Sequence, residues 1–159
     1  MNIVVGVSDM QVSNDPKASI ITYSLGSCIG VTIYDTVARV GGIAHYMLPD
    51  STIDTAKAKD NPYMFANTCI PLLFKTAYKL GAKKQRMRVL LLGGSQIMDQ
   101  NGFFNIGNRN YMAARKMLWK NNVVIDYENV GGSVNRTIKL SVKSGQIKLK
   151  VSGGSEFEI

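Results

Sequence analysis

From Arg136 to Ser152 the chain reads RTIKLSVKSGQIKLKVS. Ile138, Leu140 and Val142 alternate with polar residues, and Ile147, Leu149 and Val151 repeat the pattern beyond the turn signal Lys143-Ser144-Gly145-Gln146. A period of two broken by a glycine-containing turn describes two antiparallel strands with one apolar and one wet face. Such a face must be covered, and the sequence upstream offers helices to cover it. Asn61-Pro62 is a helix start, with Asn as N-cap and Pro in the first turn, and Gly81 is a stop. Pro71 inside that span predicts a kink or a later true start. NIGNRNYMAARKMLWKN, Asn105 to Asn121, predicts a second helix with Met112, Leu118 and Trp119 toward the core.

The other segments are strand-like: NIVVGVS from Asn2, SIITYS from Ser19, CIGVTIY from Cys28, RVGGIAHYML from Arg39, RMRVLLLGG from Arg86 and NVVIDYENVGG from Asn122. Cys28–Tyr34 and Arg39–Leu48 flank a short turn and predict a hairpin. The expected fold class is α+β, a single domain over residues 1–159 built as a layered sandwich of mostly antiparallel sheet with helices on its apolar side.

No run of about 18 apolar residues and no basic leader occurs, so membrane insertion and secretion are not expected, and the expected location is cytoplasmic. The two cysteines, Cys28 and Cys69, are expected as reduced thiols, Cys69 as an inert core residue. An excess of 19 Lys+Arg over 11 Asp+Glu, a formal +8, favours acidic partners. The basic residues are scattered through KKQRMR, RKMLWK and Lys148/Lys150, without a stacking aromatic platform, so nucleic acid is not the expected partner.

YSLGSCIG, Tyr23 to Gly30, sets a thiol among glycines. A cysteine nucleophile needs a base and donors for an oxyanion. Gly26 can open a turn in which the amides beside Ser27 and Cys28 converge on the sulfur, and the base must be His45, the only histidine. If Asp35–Ala38 is the hairpin loop, Tyr34 pairs with Arg39, and Cys28 falls opposite His45 on one face, Cβ atoms about 4.5–5.5 Å apart. A register slip of one residue would put them on opposite faces. Thr22, on the preceding strand, is the candidate to orient the imidazole. Buried cysteines and core histidines are common, so composition by itself favours a structural role for this pair. Two ligands and no C-x-x-C do not make a metal site.

SLGSCIGVTIYD, VGGIAHYMLPDS, GGSQIM, NIGNRN and GGSVNRTIKLSVKSGQI, in this order and spacing, resemble the CheD family of chemoreceptor glutamine deamidases. The resemblance implies a cofactor-independent cytoplasmic enzyme that hydrolyses glutamine side-chain amides on chemoreceptor helices. It implies a fold similar to that of the cytotoxic necrotising factor deamidases, with Cys28 as nucleophile, His45 as general base and Thr22 as third catalytic residue. Gly93, Gly94, Asn105 and Arg109 would shape the cleft rim. Some family members bind a CheC-type phosphatase, which is a further implied partner. One departure stands out: the family's G-G-x-R-x-R has Val134 in place of its first arginine, leaving Arg136. The competing readings are a non-catalytic module that docks on a receptor or phosphatase, and a basic nucleic-acid binder whose affinity would fall steeply with salt.

Overall fold

The computed structural model describes residues 1–96, 105–154 and 156–159. Ile97 and Met98 of the GGSQIM block lie outside the described residues. The strands are β1 (Asn2–Val5), β2 (Asp9–Ser13), β3 (Ser19–Leu25), β4 (Ile29–Asp35), β5 (Val40–Tyr46), β6 (Met87–Gly93), β7 (Tyr127–Val130), β8 (Arg136–Ser141), β9 (Ile147–Val151) and β10 (Glu156–Glu158). The helices are α1 (Thr55–Asp60), α2 (Ala66–Lys79) and α3 (Ile106–Lys120). The strands form two five-stranded sheets, β1-β3-β8-β9-β10 and β2-β5-β4-β6-β7. Among the described strands the β1–β3 and β6–β7 pairs are parallel and the others antiparallel.

The layers run sheet, sheet, helices, which corrects one expectation. Ile138, Leu140, Ile147 and Leu149 do pack on one face, but against Tyr34, Ile43, Leu90 and Leu92 of the second sheet rather than against helices. The helices cover the other face of that second sheet: Cys69, Ile70, Leu73 and Phe74 of α2 and Ala114 and Leu118 of α3 meet Val31, Ile33, Val89 and Leu91. The reason lies in β4 and β6, whose apolar residues occupy both parities; such a sheet needs cover on both sides.

The β4–β5 hairpin also differs from expectation. Asp35 pairs with Val40 and Gly30 with His45, so the loop is Thr36–Arg39, one residue further along than predicted. Asp35 decides this: buried, it accepts from the amides of Val37 (2.8 Å), Ala38 (3.0 Å) and Lys83 (2.8 Å) and pairs with Arg86 (2.9 Å). Arg39, at φ 54, closes the turn. Cys28 therefore lies diagonal to His45, two residues along, but the parity is kept and both belong to the inter-sheet face.

Asn61 caps a short 3-10 turn, Pro62–Met64, and α2 begins later, at Ala66, with Pro71 in its second turn. Gly81, at φ +96, follows its last residues as the stop signal implied. In α3 the buried stripe is Gly107, Asn110, Ala114 and Leu118. Met112 is 51% and Trp119 78% exposed, contrary to expectation. Successive helical residues point about 100° apart, so Leu118 and Trp119 cannot share the core face.

Candidate active site

Thr22, on β3, and His45, on β5, belong to different sheets and meet between them, both buried. Thr22 Oγ1 lies 2.8 Å from His45 Nδ1 and 2.9 Å from the Val5 carbonyl oxygen. A hydroxyl has one proton, and a carbonyl can only accept it. Thr22 therefore donates to Val5, and the remaining contact requires Nδ1–H of His45 to donate to Thr22. This assigns the tautomer: Nε2 carries the lone pair, and it has no hydrogen-bond partner among the described residues.

Cys28 sits immediately before β4, half-buried against the inter-sheet cluster. The carbonyls of its segment are each held: Gly26 by the Ser95 amide (2.9 Å), Ser27 by Asn110 Nδ2 (2.9 Å) and Cys28 by the Gly94 amide (2.9 Å). The amides of Ser27 and Cys28 donate to no backbone carbonyl among the described residues. The left-handed residue that turns the chain here is Ser24, φ 53. Gly30 faces Leu25 and Ile138 of the first sheet, whose methyl groups would meet a Cβ there, so its close approach is to the opposite sheet.

Burial raises the Cys28 thiol to about 11, opposed by its own backbone N–H. Burial also lowers His45 to about 4, opposed by the charge of Asp9. Thiol and imidazole are thus both neutral at pH 7, and the imidazole is free to accept a proton. Cys69, fully buried behind the second sheet, is pushed up to about 12 by burial and by the Asp9 charge, as an inert core thiol should be.

The rim residues divide. Gly93 (φ +117) and Gly94 (φ +66) form a turn pressed against the Cys28 segment: a Cβ on Gly93 would strike the Cys28 carbonyl oxygen. Asn105, at φ 51, occupies the N-cap position of α3, and with Gly94, Gln96 and Asn108 lines a depression beside that turn. Arg109 is exposed on the first turn of α3, outside that lining. Two further buried residues hold the region together. Asn110 bridges the Ser27 and Met47 carbonyls, both at 2.9 Å. Arg136 donates to the carbonyls of Gly93 (3.1 Å) and Gly131 (2.9 Å), to Ser95 Oγ (2.9 Å) and to Asn129 Oδ1 (2.9 Å).

Residues 47–151 match the family model described as CheD chemotactic sensory transduction. The chain belongs to the CheD family. A Syntrophus aciditrophicus relative named "Probable chemoreceptor glutamine deamidase CheD 1" is 53% identical, over 99% of both chains. A second, from Solibacter usitatus and named "Probable chemoreceptor glutamine deamidase CheD", is 48% identical over 95% of this chain and 89% of its own. The family-model match begins beyond Thr22, Cys28 and His45, but these relatives align across nearly the full CheD chain, N-terminal strands included. In fold, a Neisseria meningitidis crystal structure of the DUF152 family model superposes with a TM-score of 0.52 at 13% identity, covering 84% of this chain and 64% of its own. Among the described residues no helix is long and apolar enough to cross a membrane.

Proposed function

We propose that this CheD protein is a glutamine deamidase acting on the cytoplasmic helices of chemoreceptors, with Cys28 as nucleophile, His45 as general base and Thr22 as the group that orients it. The observation that carries the reading is the bare, lone-pair-bearing Nε2 of His45, held in that tautomer by Thr22 on the face it shares with Cys28. The names of the relatives supply the substrate class.

In the reaction, Nε2 takes the thiol proton as the sulfur attacks the glutamine carboxamide carbon. Burial favours the neutral thiol and the neutral imidazole, so proton transfer accompanies attack. The amides of Ser27 and Cys28, beyond the turn at Ser24, receive the oxyanion. Protonated Nε2 hands its proton to the leaving nitrogen, and ammonia departs from the thioester. Water, deprotonated by Nε2, attacks the thioester carbonyl; the sulfur leaves, regains its proton, and glutamate remains. The +8 charge suits an acidic receptor surface, and a CheC-type phosphatase is a proposed second partner.

The test incubates a cognate receptor cytoplasmic fragment with the wild type, Cys28→Ala and His45→Ala, and maps glutamine-to-glutamate conversion by mass spectrometry. Conversion that needs both residues is expected. Absence of conversion by the wild type, or equal conversion by Cys28→Ala, would reject the reading. If Cys28→Ala also restores chemotaxis in a deletion strain, the protein is a docking module.

A further inference from the structure

Thr22 can aim the imidazole of His45, but a neutral hydroxyl cannot offset the positive charge that a buried imidazole acquires when it takes a proton. The proposed reaction requires that charge to form, so a counter-charge should lie nearby. Asp9 is the direct cross-strand partner of His45 in the β2–β5 pair. Direct partners project from the same face with Cβ atoms about 4.5–5.5 Å apart. The faces agree independently: Met10 and Val12 point to the helix side with Ala44, leaving Asp9 on the inter-sheet side with His45.

We propose that Asp9 is an electrostatic positioning residue, whose carboxylate, fixed across the strand from His45, stabilises the imidazolium formed when His45 accepts the Cys28 proton. The carboxylate is held in place by the amides of Gly6 (3.1 Å to Oδ2) and Met10 (2.7 Å to Oδ1). The Ser8 amide donates to the His45 carbonyl (2.8 Å), joining the same turn to β5. Residues Val5 to Asp9 thus supply both the carbonyl that takes the Thr22 proton and the charge that faces the base.

No other acid competes for this role on the elements packed against β5. Cys28 is the partner thiol, while Cys69 of α2 and Tyr46 lie on the helix side and stay neutral through burial. Tyr34 and Asp35 sit at the far end of β4, where Asp35 is committed to Arg86. Of the cations on β8, Arg136 is bound to Gly93 and Gly131, and Lys139 pairs across the strand with Lys148 at the parity opposite to Ile138 and Leu140, away from the core. Tyr23 is exposed on β3, and Tyr63 of the 3-10 turn packs on the helix-side cluster. The charge of Asp9 opposes the effect of burial on His45.

This inference rests on the deamidase reading for its consequence but can be tested apart from it, because His45 is the only histidine and gives a single imidazole signal. The full chain is titrated by NMR as wild type, Asp9→Asn and Asp9→Glu, and kcat/KM for receptor-fragment deamidation is followed in parallel. In Asp9→Asn the His45 midpoint should fall by about one pH unit or more. The matching loss in kcat/KM is about tenfold, with KM unchanged, and Asp9→Glu should recover most of both. An Asp9→Asn midpoint superimposed on that of the wild type would overturn the proposal, as would Asp9→Glu failing like Asp9→Asn in both readouts. If Asp9→Asn does not fold, Asp9→Ser, which keeps an acceptor for the turn amides, replaces it with the same expectations. A wild type that deamidates nothing but shows the midpoint shift would reject the reaction and leave the Asp9–His45 coupling standing.

Discussion

Lowering the pH from about 7 to about 4.5 should destabilise this protein through one residue. The folded state holds His45 near 4, against an ordinary value of 6.5 that the unfolded chain recovers. Between those values the unfolded chain binds one more proton than the folded one, so stability is complete above 6.5 and declines as the pH falls toward 4. At about 1.4 kcal/mol per pH unit, the full window is worth about 3 kcal/mol, a sizeable part of a typical domain's total of roughly 5–15 kcal/mol. The assay is urea unfolding at a series of pH values for the wild type and for His45→Gln, whose side-chain amide can still donate to Thr22 but does not titrate. The difference between the two curves should shrink steadily from neutral pH downward. Asp35 does not confuse the result. Burial would raise its carboxyl, but the Arg86 guanidinium and the amides of Ala38, Lys83 and Val37 outweigh burial and hold it at about 2. Its contribution is intact until the pH drops below its ordinary 3.8 and is lost as the pH falls through 2, a window below that of His45. Parallel curves for the wild type and His45→Gln would refute the buried, neutral imidazole and, with it, the assigned tautomer.

Thr22→Val keeps the shape but leaves the Val5 carbonyl and His45 Nδ1–H without a partner; a stability loss of about 1–3 kcal/mol is expected. Its deamidation rate should fall on the order of tenfold or more while Thr22→Ser stays close to wild type, measured by denaturation and receptor-fragment turnover together. Gly93→Ala drives a methyl group into the Cys28 carbonyl at φ +117. Thermal denaturation should show it losing more than about 2 kcal/mol, whereas Gly131→Ala, at φ +84 with open space around it, carries only a backbone cost of about 1 kcal/mol.

The alternation in Arg136–Ser152 located two strands correctly because a half-wet strand has to alternate. What lay over its dry face was less legible. The dense apolar runs of β4 and β6 were the sign of a sheet buried twice over, and they read equally well as ordinary strands until the layers were seen. The hairpin register slipped because Asp35 looked like a turn residue, while in the fold it is the last paired residue of β4 and anchors the turn from within. The slip preserved parity, so Cys28 and His45 kept a common face although not a common row. Thr22 was legible as a neighbour in sequence, but its partnership with His45 depends on two sheets stacking, which no local pattern records. Asp9 was missed for the same kind of reason: β2 is short and weakly patterned, and only its pairing with β5 places a carboxylate across from His45.

The Thr22–His45 contact spans the gap between the two sheets, so the imidazole is oriented only while the sandwich is closed. A molecule still folding, or fraying at the β1 edge, loses the Val5–Thr22 hold on that imidazole. In the proposed deamidase, partly folded copies would lack an oriented base, and activity would arrive as the last consequence of assembly.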